Sequence, residues 1–119
     1  MANDFIRVCT PNISNSSNTT IYAVPAGASS AALESSVIGI TMANKTSSGV
    51  TASIFIDNED GSNDVFIVKD ASIPAGASLE VMSGNKLVLQ NDGSNGDNLE
   101  AIASAANSVN VTVSILQDV

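Results

Sequence analysis

Asp57-Asn58-Glu59-Asp60-Gly61-Ser62-Asn63-Asp64 carries the densest set of side-chain oxygens in this chain. Clustered oxygens are what a hard cation such as calcium requires. The helix-flanked calcium loop wants Gly at its sixth position and Glu at its twelfth. Setting Gly61 sixth places Ile56 first and Ile67 twelfth, and neither can ligate a metal. The run therefore reads as a solvated hairpin loop. Asp92-Gly93-Ser94-Asn95-Gly96-Asp97 repeats the composition on a smaller scale and reads the same way. No metal site and no cofactor are expected.

Nucleophilic chemistry fares no better. Cys9 is the lone thiol, and the chain has no histidine to activate it or to serve a Ser-centred triad. Cys9 reads as a small hydrophobe buried on the first strand. A single cysteine closes no internal disulfide and reports no redox compartment. Paired-carboxylate hydrolysis needs one acid in an apolar setting. All twelve acids fall beside apparent turns or at outward strand positions, so no pair is nominated. Asn-X-Ser/Thr at Asn12, Asn15, Asn18, Asn44 and Asn110 are chance matches in a Ser/Thr/Asn-rich chain. The chain is not expected to be an enzyme.

Composition narrows the class further. The 119 residues suit one domain with a real core. Charged residues make up 13 % and hydrophobic ones 44 %, so Ser, Thr and Asn must cover the surface. Four Lys+Arg against twelve Asp+Glu give a net charge of −8. Arg7, Lys45, Lys69 and Lys86 are scattered, whereas a nucleic-acid backbone requires clustered cations. No nucleic-acid partner is expected. Met1–Arg7 lacks a basic region followed by an apolar run and does not read as a signal peptide. No apolar run reaches transmembrane length, so no membrane is expected either.

The elements that would position any site are short strands. Phe5–Cys9, Thr20–Val24, Leu33–Met42, Gly49–Asp57, Asp64–Ile73, Ser78–Met82, Lys86–Gln90, Leu99–Ala103 and Val109–Ile115 alternate or run apolar between turn clusters. Gly49–Asp57 places Val50, Ala52, Ile54 and Ile56 on a buried face, with Thr51, Ser53 and Phe55 opposite. Pro-Ala-Gly-Ala-Ser occurs twice, at Pro25–Ser29 and Pro74–Ser78. Pro at the second position and Gly at the fourth of a type I turn would make each a stiff reversal between strands. This spacing predicts an all-β fold: one antiparallel β-sandwich or jelly-roll-like domain of about eight strands. Residues 1–18 are expected to form an N-terminal strand or arm, and 19–119 the sandwich. With no Trp, three Phe and one Tyr, the core must be aliphatic.

Three passages carry a resemblance. They are Thr19-Thr20-Ile21-Tyr22-Ala23-Val24-Pro25-Ala26-Gly27, the stretch from Val68-Lys69-Asp70-Ala71-Ser72-Ile73-Pro74-Ala75-Gly76 to Val81, and the ending from Ala103 to Leu116. With Lys86-Leu87-Val88-Leu89, they resemble small β-sandwich virion proteins of tailed bacteriophages, especially phages of marine bacteria and cyanobacteria. The resemblance runs from about Thr19 to the end, and its motifs are structural rather than catalytic. It departs at the acidic loop Asp57–Asp64, which looks like an insertion, and at Asn12–Asn18.

The resemblance implies a non-enzymatic virion component, assembled in a host cytoplasm and used in many copies. The first role implied is a capsid decoration (cement) protein, bound between capsid subunits to stabilise the shell. Its partners would be the major capsid protein or other virion subunits, and copies of itself, with a trimer favoured. Phe5, Ile6 and Val8 are the expected contact residues, being apolar on an otherwise polar terminus. The alternatives are a neck, tail or fibre subunit, or a host-glycan-binding module. Glycan binding asks for exposed aromatic platforms, and only Phe5, Tyr22, Phe55 and Phe66 are available. Phe55 and Phe66 are expected in the core.

Overall fold

The computed structural model describes residues 3–57, 64–82 and 86–118. Nine strands form: β1 (Asn3–Thr10), β2 (Thr19–Ala23), β3 (Leu33–Asn44), β4 (Val50–Asp57), β5 (Asp64–Ile73), β6 (Ser78–Glu80), β7 (Leu87–Asn91), β8 (Asn98–Ala103) and β9 (Val109–Asp118). Each falls on a segment whose apolar alternation predicts it. The turn residues Ser83–Asn85 and loop positions 58–63 lie outside the described residues.

Pairing is antiparallel and nested in sequence: β1 with β9, β2 with β8, β3 with β6 and β7, β4 with β5. The result is a five-stranded sheet ordered β1-β9-β3 with β6 and β7 sharing the far side of β3, and a four-stranded sheet ordered β2-β8-β4-β5. Such a nested double sheet is a jelly roll. Between the sheets Val37, Ile40, Met42, Val111, Val113 and Ile115 meet Ile21, Ala52, Ile54, Leu99 and Ala101, all buried. The aliphatic side chains suit sheets packed about 10 Å apart. Along β9 the pattern is strict, with Val111, Val113 and Ile115 inward and Thr112 and Ser114 exposed.

β4 departs from its simple alternation. Ser53 and Phe55 are buried as well as Ala52 and Ile54. The register with β5 shifts at Ala52/Ile54, where the Asp70 N–H donates to Ser53 Oγ at 2.8 Å. Phe55 is covered from outside by Phe66 on β5, ring centroids 5.3 Å apart. An edge strand bearing one aromatic thus buries the second face of its neighbour.

The two Pro-Ala-Gly segments each carry the chain from the four-stranded sheet to the five-stranded one, yet they turn differently. At the second, the Ala77 N–H donates to Pro74 O at 3.1 Å and Gly76 has φ +68°. Pro74 is therefore the first turn residue and Gly76 the third, a type II arrangement that needs positive φ there. At the first, the Ala31 N–H donates to Ala28 O, with Ser29 and Ser30 both at φ 59°. That is a type I′ turn, placed after Gly27 rather than upon it. The expected type I geometry forms at neither.

What the corners share is an asparagine. Asn91 Nδ2 donates to Val24 O at 2.8 Å, and Asn44 Nδ2 donates to Ile73 O at 3.0 Å. Val24 and Ile73 each precede the proline. Asn44 is almost wholly buried, and its amide also serves Ser48 O and Pro74 O while its Oδ1 accepts from Thr46. Replacing Asn44 with Asp would turn a donor into a carboxylate facing those carbonyl oxygens. Urea unfolding should show a loss of about 2–3 kcal/mol. The same change at exposed Asn15 should move stability by less than about 0.5 kcal/mol.

Candidate functional site

The second oxygen-rich run is structural. The Asp92 carboxylate accepts backbone N–H bonds from Asn95 and Ser94, each at 2.8 Å, which hold its pKa below the usual value. Asp97 is buried, a correction to the outward placement expected of every acid, and its Oδ2 accepts the Gln90 N–H at 2.9 Å. Gly93, at φ +100°, lies so close to the first corner that a Cβ there would sit 2.2 Å from Ser30 O. The loop is a buttress for the corner, not a ligand cage. Among the described residues no group of three or more Cys, Asp or Glu is placed to hold a metal. The acidic run at 57–64 falls mostly outside the described residues.

β1 splits the sequence-nominated contact residues between two faces. Ile6 and Val8 are half-buried and pack against the core, while Phe5 points outward. Cys9 lies on Phe5's side and is exposed. The expectation of a buried thiol is thus corrected: period 2 sends positions 5, 7 and 9 outward together. The stretch after β1 is anchored by Ile13, which is fully buried and donates its N–H to Val109 O at 3.0 Å.

A cavity of about 530 Å³ opens at the first corner, lined by Pro25, Ala28, Ala31, Leu33 and Gln117 among others. No ionisable side chain lines it, so it can hold an apolar group but has nothing with which to transform one. Its one polar side chain is fixed from behind. Gln117 Nε2 donates to Tyr22 Oη at 2.9 Å, and Tyr22 Oη is 2.8 Å from buried Ser35 Oγ. Sequence reading placed Tyr22 among possible glycan platforms, but its ring is core.

The exposed large hydrophobics among the described residues are Phe5 (77 % exposed), Val88 (53 %), Val65 (50 %), Phe66 (46 %) and Ile38 (40 %). Four of these five lie on edge strands: Phe5 on β1, Val65 and Phe66 on β5, Val88 on β7. The expectation of Phe66 in the core is corrected, since β5 pairs only with β4 and leaves one side of the ring open. Lys69 Nζ sits 5.1 Å from that ring's centroid. Hydropathy alone marks these residues as apolar; which strands end a sheet is decided by the pairing.

On the outer face of the five-stranded sheet the register puts Phe5 opposite Leu116, Leu116 opposite Ser36, and Ser36 opposite Val88. Ile38 stands beside this row, at the register shift between Val37 and Gly39. The row crosses β1, β9, β3 and β7.

No protein-family model matches this chain, and no curated protein matches its sequence. Among solved structures it is similar to a chain of Bacillus endospore appendages, described as disulfide-linked pili. The TM-score is 0.42 at 14 % identity, over 99 % of this chain and 88 % of that one. It is also similar to a chain of infectious bursal disease virus, Gx strain, with TM-score 0.44 and 11 % identity over 97 % of this chain and 32 % of that one. Against the STIV MCP the TM-score is 0.28 at 13 % identity, over 93 % and 48 % of the two chains. The chain spans about a third of the second and about half of the third.

Two substitutions test the corner. Gly93→Ala should cost about 2 kcal/mol or more, from positive φ and a backbone clash, in thermal or urea unfolding. Gly39→Ala, with nothing within 4 Å of the added carbon, is the matched control and should be near neutral. Tyr22→Phe should cost about 1–3 kcal/mol by stranding the Ser35 hydroxyl. Loss of the slowest-exchanging Leu33–Val37 amides would accompany it in hydrogen exchange.

Proposed function

We propose that this chain is a non-enzymatic structural subunit of a tailed-phage virion, and specifically a capsid decoration protein that binds between shell subunits. The observation that carries the reading is the placement of exposed apolar side chains on sheet edges, Phe5 on β1, Val65 and Phe66 on β5, and Val88 on β7. Unpaired edges are where a β protein meets other chains, and an isolated domain ordinarily shields them with charge. Here Arg7 and Lys69 stand beside the apolar residues, which discourages indiscriminate pairing while leaving a surface for a fitted partner. The jelly roll supplies stiffness, and the uncharged polar coat with net charge −8 keeps crowded copies apart except where surfaces match.

In this reading the β5 edge, with Val65 and Phe66, docks on the shell. The test adds purified protein to particles that lack it and counts bound copies by quantitative mass spectrometry. A copy number on the scale of the capsid lattice is expected, and Val65→Glu with Phe66→Glu should reduce it by about tenfold or more. A copy number on the scale of a single ring would place the protein at neck or tail instead. No binding to any particle would reject the virion reading altogether.

A further inference from the structure

From the register of the five-stranded sheet we infer that its outer face is a twofold contact surface for a second copy of this chain, centred on the row Phe5–Leu116–Ser36–Val88. The row is continuous across β1, β9, β3 and β7 because each residue is the register partner of the next. Phe5 and Val88 are exposed at its ends, and Ile38 stands exposed beside Ser36. Toward the far end of the same face Thr112, Ser114 and Thr41 are exposed, small and uncharged, a flat floor on which another sheet can lie.

Charge chooses the occupant. Arg7 is opposite Ser114 and Gly39, so it lies on one side of the row. Lys86, which directly precedes β7, falls on that same side, because Leu87 pairs with Val37. Glu34 pairs with Gln90 and lies on the other side. Each of the three is exposed. A twofold axis along the row leaves every residue of the row facing its own copy and exchanges the two flanks. Arg7 and Lys86 of one copy then face Glu34 of the other. Lys86 and Glu34 sit one strand apart, about 4.8 Å laterally, within side-chain reach. The surface is thus complementary to itself in sign as well as in hydropathy, which an isologous interface demands.

Size is sufficient. β9 has 10 residues. At about 3.3 Å per residue and about 4.8 Å per strand, four columns give a footprint of about 600 Å². A standard interface buries about 800 Å² per partner counted over protruding side chains. Sheets stacked face to face in this way lie about 10 Å apart, as within the domain itself.

This pairing extends the assembling-subunit reading above but is tested without a virion. Its failure would leave shell docking through β5 untouched, and rejection of shell docking would leave the pairing untouched. Sedimentation equilibrium of the full chain over a concentration series should show a monomer–dimer equilibrium. Phe5→Ser with Val88→Thr should weaken it about thirtyfold or more, with the unfolding midpoint confirming that the variant is folded. Glu34→Lys should weaken it severalfold, and adding Lys86→Glu should restore it.

A short bismaleimide reports the geometry. Cys9 pairs with Thr112, four residues along β1 from the row. About 13 Å from the axis, its thiol should not cross-link to its counterpart. Ser36→Cys in a Cys9→Ser background lies on the axis and should cross-link. A monomer throughout the series, a trimer, or a dimer indifferent to Phe5→Ser with Val88→Thr would overturn the inference. Cross-linking through native Cys9 with none at position 36 would overturn it too, by placing the contact on the β1 edge.

Discussion

Carrying a chain from one sheet to the other breaks the hydrogen-bond ladder, and the orphaned carbonyls must find donors. A proline at the crossing makes this sharper, because it contributes no N–H of its own. The molecule meets the constraint twice with an asparagine amide. Asn91, at the end of β7, reaches Val24 O, and Asn44, at the end of β3, reaches Ile73 O. Each asparagine lies where its strand leaves the five-stranded sheet, so each corner is tied to the sheet it is entering. The loop at Asn91–Asp97 then packs on the first corner closely enough to require Gly93. With the corners fixed, the two sheets keep their spacing and the aliphatic core closes between them.

Nested pairing has a consequence for the surface. Each partnership, from β1 with β9 inward to β4 with β5, is a rung of one long folded hairpin, and the roll ends in sheet edges. β5 on one sheet, and β1 and β7 on opposite margins of the other, hold most of the exposed apolar bulk. No charged cleft competes with these surfaces among the described residues, and the one sizeable cavity has an apolar wall. Adhesion is what such a surface does well. The adhesive residues are held on strands rather than loops, so they present a fixed pattern with little ordering entropy still to lose.

Strand positions were legible in the sequence because alternation is local: Val109 to Ile115 encodes its own inward face without reference to any other segment. The aliphatic core followed from the near absence of aromatics. Less was legible at the corners, where one pentapeptide, Pro-Ala-Gly-Ala-Ser, turns in two ways. Pro74 opens its turn directly and puts Gly76 at positive φ, whereas after Pro25 the chain stays extended through Gly27 and reverses at Ser29-Ser30. The difference comes from what each corner packs against, the Asn91–Asp97 loop in one case and the Asn44–Ser48 connection in the other. Nothing within five residues specifies that.

Cys9, Phe66 and Asp97 illustrate the remaining division. Their types were plain from the sequence, and their environments were misjudged. Whether Cys9 faces the core depends on the phase of β1 against β9, and whether Phe66 is covered depends on β5 having one neighbour rather than two. Asp97 is buried because a distant strand end offers it the Gln90 N–H. The amino-acid order by itself determined a nine-segment, aliphatic, acidic β chain without the residues for catalysis by histidine. Tertiary structure alone decided which strands became edges, and so which apolar side chains face a partner, because an edge is a property of pairing between segments far apart in the chain.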